Sequence, residues 1–168
     1  MDRKVTVSGK GSVRLDTPAS LGKKNPTNRN YATPEIIRPL DREDLREYNR
    51  FSVWVYVDAP GVYLTFAGFT LYNEGEKIMP TPGRFEGQHF ETVYPNKWQH
   101  IIWEIPDLYR DSVTGFSVNI MLAGAPAGAS ERMSLYIDDM RIEKVEAENS
   151  RGFDLRKDAM AYCHSGYK

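Results

Sequence analysis

The sequence holds one cysteine, Cys163, so no internal disulfide can staple the fold. No histidine or cysteine partner stands around it at metal-ligand spacing. A nucleophile would need an oriented base, so Cys163 reads as an incidental thiol. Nothing approaches the roughly 18 consecutive apolar residues of a membrane-spanning helix. The opening Met1-Asp2-Arg3-Lys4 lacks the apolar stretch of a signal peptide. A basic stripe is also missing: 22 lysines and arginines face 23 acids for a net charge of −1. A phosphate backbone would find little to hold, so nucleic acid is not an expected partner, and without a spanning segment neither is a membrane.

Catalytic signatures are equally scarce. Gly-x-Ser-x-Gly, a phosphate loop and His-Glu-x-x-His do not occur, and His89, His100 and His164 are dispersed. With 23 acids some carboxylate pair always looks close. Neither Glu86 with Glu91 nor Glu104 with Asp107 carries a motif that would hold it at the separation glycoside hydrolysis requires. No catalytic residue is assigned, and the chain reads as non-catalytic.

What is present is a strand pattern. The 168 residues suit one domain, and 40% hydrophobic with 27% charged composition places it among globular chains able to bury a core. In Phe51-Ser52-Val53-Trp54-Val55-Tyr56-Val57 the apolar Phe51, Val53, Val55 and Val57 share one side. Ser52, Trp54 and Tyr56 share the other. Ile101, Trp103 and Ile105 alternate with His100, Ile102 and Glu104, so Trp103 reads as core, and Trp98 must face the other way. Phe116, Val118, Ile120 and Leu122 form a third apolar side. Further strands are expected over 4–8, 12–16, 33–40, 62–72, 88–93 and 133–145. Asp41, Glu43 and Asp44 supply the cap and acidic first turn of one short helix over 41–48. Loops are expected over 17–30 and over the Pro/Gly-rich 73–87. Many short strands with one brief helix predict an all-β, two-sheet antiparallel β-sandwich.

After Val145 the composition becomes polar. Met160 to Lys168 then begins a new apolar run, expected as the first strand of a following domain. The organisation read from this is a β-sandwich over 1–146, then a linker and opening strand over 147–168.

The strand Phe51 to Val57, the Trp98-Gln99-His100-Ile101-Ile102-Trp103 strand and the closing Tyr136-Ile137-Asp138-Asp139-Met140-Arg141-Ile142 together resemble jelly-roll carbohydrate-binding modules of the galactose-binding-like type. In such modules the last strand commonly pairs beside the first. The resemblance spans about residues 4 to 146. A second stretch, Ala161-Tyr162-Cys163-His164-Ser165-Gly166-Tyr167-Lys168, looks like the opening strand of the immunoglobulin-like domain before the catalytic barrel in one cellulase-type glycoside hydrolase family. His164 and Ser165 depart from that family's Asn-Gln-x-Gly-Tyr form. Together the resemblances imply the front end of a larger glycoside hydrolase, in a secreted, periplasmic or cell-surface setting. The partners implied are polysaccharide or oligosaccharide and the downstream domains of the same polypeptide.

Candidate sugar contacts follow from residue type. Trp54 and Tyr56, two apart on one strand side, could form a flat platform for pyranose faces; the competing reading is that a loop or core covers them. Ser117 and Asn119 lie off the apolar side of their strand and offer hydrogen bonds, although Asn119 could equally serve local backbone. Tyr72, Arg84 and His89 belong to a polar-aromatic group at a loop edge, which could also be simply solvated. Asp138 and Asp139 offer oxygens for a structural calcium, which the resembled modules often hold against the first strand; local backbone bonding is the competing role. No other cofactor is expected. Two functions stay open: a sugar-binding module, or a purely structural sandwich that packs on and stabilises a catalytic domain.

Overall fold

Alternating apolar residues can hide one side of a strand only against a second layer, and the chain solves this with two sheets. The computed structural model describes residues 6–18, 34–62, 64–76, 85–105, 108–124 and 132–146. Its strands are β1 (Val13–Pro18), β2 (Glu35–Glu43), β3 (Arg50–Asp58), β4 (Leu64–Asn73), β5 (Phe85–Val93), β6 (Gln99–Glu104), β7 (Val113–Gly124) and β8 (Arg132–Glu143). One sheet has the order β1-β8-β3-β6 and the other β2-β7-β4-β5. Every pairing is antiparallel, and the closing strand β8 lies beside β1, with Val13 opposite Ile137.

The apolar sides meet as the alternation requires. Phe51, Val53, Val55 and Val57 of β3 are fully buried, and Ile101 and Trp103 of β6 join them. From the second sheet come Ala67, Phe69 and Leu71 of β4 with Phe116, Val118 and Ile120 of β7. Rings tie the layers together: Phe51 stacks on Phe69 at 4.2 Å between centroids and meets Phe116 edge-on at 5.3 Å. Trp103 stacks on Phe69 at 5.6 Å.

The structure corrects two expectations. No helix occurs among the described residues. Where one was expected, β2 continues to Glu43 and Arg42 adopts a φ of 52°, which ends the strand without starting a helix. The Arg110 guanidinium donates to the carbonyls of Arg46, Tyr48, Ile105 and Leu108 and so ties this turn to the segment after β6. Asp44 turns to Arg46, whose side chain and then backbone amide donate to its carboxylate and lower the Asp44 pKa to about 2. The second correction concerns the start of the chain. Among the described residues of the expected strand over 4–8, residues 6–8 are not strand, with bends at 7 and 8, and their donors converge on Asp138 from β8. The expected linker and opening strand over 147–168, with Cys163, lie outside the described residues.

Candidate functional site

Register decides which polar side chains meet. On the outer face of the β2-β7-β4-β5 sheet, Glu35, Asn119, Gly68 and Phe90 form one row across all four strands. At strand spacing of about 4.8 Å such a row spans roughly 14 Å. The next row holds Ile37, Ser117 and Thr70, and on the other side lie Met121, Phe66 and Thr92. These side chains point away from the core because Ala67, Phe69, Leu71, Val118 and Ile120, their neighbours in sequence, point into it.

The face has two characters. Phe66, Phe90 and Met121 make an apolar corner in which Phe90 is 49% and Met121 38% exposed. Beside it runs a polar strip. The Tyr72 hydroxyl donates to Glu35 Oε1 at 2.7 Å, and the buried Ser117 hydroxyl donates to the same oxygen. Glu35 and Tyr72 thereby bridge over β7 and cover Ser117. Burial, followed by the bond to Glu35, raises the Tyr72 pKa above its ordinary value, so the phenol stays a proton donor. Asn119 lies across Gly68: a Cβ there would come within 2.9 Å of Asn119 Cγ and Nδ2, and closer still to Oδ1. Gly68 therefore leaves the room in which the carboxamide rests. Among the described residues no hydrogen bond engages that carboxamide.

The expected contacts divide between two opposite faces. Ser117, Asn119 and Tyr72 come together on the strip just described. Trp54 and Tyr56 lie on the outer side of the other sheet, on β3. There Trp54 stacks on His100 of β6 at 4.8 Å with 16° between planes, so the rings stand upright with their faces turned on each other. Tyr56 is flanked by Trp98 at 5.6 Å and Tyr136 at 5.7 Å, both inclined to it. Trp54 and Tyr56 thus do not stand as an open pair on their own: each contacts a ring of a neighbouring strand, on the sheet opposite the strip. His89 sits opposite Phe69 in the register and so shares the inward side of β5, away from the strip. Arg84 lies outside the described residues. Glu35, Phe66, Phe90 and Met121 were missed by residue type alone. The available signal was Gly68, a glycine inside a strand where something must approach closely.

Asp138 has a different task. Its Oδ2 accepts the Thr6 hydroxyl at 2.8 Å and the amides of Val7 at 2.8 Å and Ser8 at 3.0 Å, and Oδ1 accepts the Asp139 amide at 2.8 Å. Asp139 pairs with Arg141 at 2.7 Å. A calcium ion wants six to eight oxygens, whereas Asp138 is surrounded by N–H and O–H donors, so the described residues do not fit the ion. Burial works against the Asp138 charge, but the bonds from Ser8, Thr6, Val7 and Asp139 outweigh it and lower the pKa from 3.8. A depressed folded pKa contributes stability that is present above 3.8 and lost as pH falls through the folded value. The melting-temperature gap between wild type and Asp138→Asn is therefore expected to stay constant at neutral pH and shrink below pH of about 4. Adding a chelator should move neither curve. A gap that persists unchanged to pH of about 2 would reject this role.

No protein-family model and no curated protein matches the sequence. Similar solved structures include a Family 16 Carbohydrate Binding Module, at 10% identity and a TM-score of 0.43 over 84% of this chain and 82% of that chain. Two structures of a Family 30 Carbohydrate Binding Module match at a TM-score of 0.49. One is 17% identical over 84% of this chain and 82% of that chain; the other is 16% identical over 96% and 77%.

Proposed function

We propose that this chain is a non-catalytic carbohydrate-binding module that lays a glycan across the outer face of the β2-β7-β4-β5 sheet. The observation that carries the reading is the division of that face into the apolar corner of Phe66, Phe90 and Met121 and the adjoining polar strip of Glu35, Ser117, Asn119 and Tyr72. A pyranose has the matching division, with C–H groups on its faces and hydroxyls at its rim. Exposed apolar groups gathered on one side of a sheet want a partner of this kind. Hydrolysis is not supported: the row through Glu35 holds Asn119, Gly68 and Phe90 and no second acid.

On the resemblance of residues 161–168, the module precedes further domains of a secreted glycoside hydrolase and holds that enzyme on its polysaccharide. Affinity electrophoresis over a broad glycan panel tests the sugar reading. The wild type is expected to be retarded by at least one glycan, and Phe90→Ala to weaken that retention about tenfold, the loss of one good stacking contact. The melting temperature should hold, because Phe90 is half exposed. No retention on any glycan sinks the proposal and leaves the structural alternative, whose mark is loss of parent-enzyme stability when residues 1–146 are deleted.

A further inference from the structure

We infer that the polar strip restricts the glycan to uncharged sugars, because Glu35 and Asn119 together read a hydroxyl that donates to one and accepts from the other. This rests on the carbohydrate-binding reading above. Glu35 is exposed, yet its carboxylate is held: Oε1 receives both the Tyr72 and the Ser117 hydroxyls. Among the described residues Oε2 receives no hydrogen bond. One oxygen is thus spent on orientation and the other is left as a pure acceptor.

Asn119 sits directly opposite Glu35 in the register, where side chains on paired strands stand about 5 Å apart at Cβ. Its carboxamide both donates and accepts. A sugar hydroxyl can satisfy the two side chains at once, giving its proton to Glu35 Oε2 and taking one from Asn119. A uronate carboxylate cannot. It has no proton to give, and it would bring a second negative charge against the first. No lysine or arginine occupies the described register positions around the pair: Ile37, Ser117, Thr70, Gly68, Phe90 and Met121. A site built for a hydroxyl donor rejects a ligand that lacks it, because the acceptor is then left unsatisfied.

Tyr72 and Ser117 act as positioning residues. They keep the carboxylate from rotating toward solvent, so its repulsion of an anion is not relieved by side-chain motion.

Three backbone pairs that differ chiefly in charge provide the test: hydroxyethyl cellulose with carboxymethyl cellulose, soluble starch with carboxymethyl starch, and fully methyl-esterified polygalacturonate with polygalacturonate. Dissociation constants are measured by calorimetry on the full chain at low salt. For whichever neutral glycan binds, the wild type should bind the charged counterpart at least about tenfold more weakly. Glu35→Gln should shrink that ratio to within about threefold, since its amide can donate to a carboxylate. Tyr72→Phe should shrink it partly, with neutral binding weakened by no more than about twofold to tenfold against the wild type, while Glu35 keeps its bond from Ser117. Equal binding of a neutral glycan and its charged counterpart by the wild type overturns the selectivity and leaves the sugar reading standing. A ratio that Glu35→Gln leaves unchanged does the same. Binding of none of the six, together with no retention on the broad panel, overturns both.

Discussion

Phe51→Ala should cost about 3–5 kcal/mol of folding stability, a large fraction of the roughly 5–15 kcal/mol that a domain commonly has. The ring is fully buried at the meeting of the two sheets, within 4.2 Å of Phe69, 5.3 Å of Phe116 and 5.8 Å of Trp103 between centroids. Its removal leaves a void lined by three stiff rings. None of them can close it without leaving its own partner, so the cavity contribution adds to the lost transfer energy. Urea titration gives the number, with Phe51→Leu as the control expected to lose much less. A loss below about 1 kcal/mol for the alanine variant would mean that the two layers do not close on this residue.

Gly68→Ala is the counterpart at the proposed binding face, with a large expected effect on ligand and a small one on fold. A Cβ there would press on Asn119 Cγ and Nδ2 at 2.9 Å, and these belong to a side chain that can swing away. The strand survives and the carboxamide is displaced. Glycan affinity should fall about tenfold or more, as when a polar anchor of a small site is lost, while the melting temperature changes by only a few degrees. In an Asn119→Ala background the same change should add almost nothing, since the group it displaces is already gone. Additive losses in the double variant would show that Gly68 acts through something other than Asn119.

Much of the architecture was legible because two-residue alternation needs no partner to be seen. Phe51 to Val57, the Ile101/Trp103 side and the Phe116/Val118/Ile120 side all emerged as read, and β8 lies beside β1. The expected helix failed because Asp41 to Asp44 has acidic capping residues in either conformation. The residue that ties this turn down, Arg110, lies some 60 positions away and donates to the carbonyls of Arg46 and Tyr48. The proposed binding face was half legible. Ser117 and Asn119 could be placed on the outward side of one strand. That Tyr72 joins them, and that Trp54 and Tyr56 do not, depends on which sheet each strand enters. Alternation assigns a side to a residue and says nothing of the layer it belongs to. Asp138 is the clearest case: its partners, Thr6, Val7 and Ser8, lie some 130 positions earlier.

Strand order also governs how this chain reaches its folded state. Of the pairings β1–β8, β2–β7, β3–β6, β3–β8, β4–β5 and β4–β7, only β4–β5 joins neighbours in sequence. Most hydrogen-bonded ladders must wait until long intervening segments have closed on themselves, a route that is slow and entropically demanding. During synthesis, β1 has no sheet to enter and β3 keeps an open flank until β8 leaves the ribosome. Until β8 is made, the nascent chain carries uncovered strand edges and apolar sides, the condition under which chains pair with one another instead of with themselves.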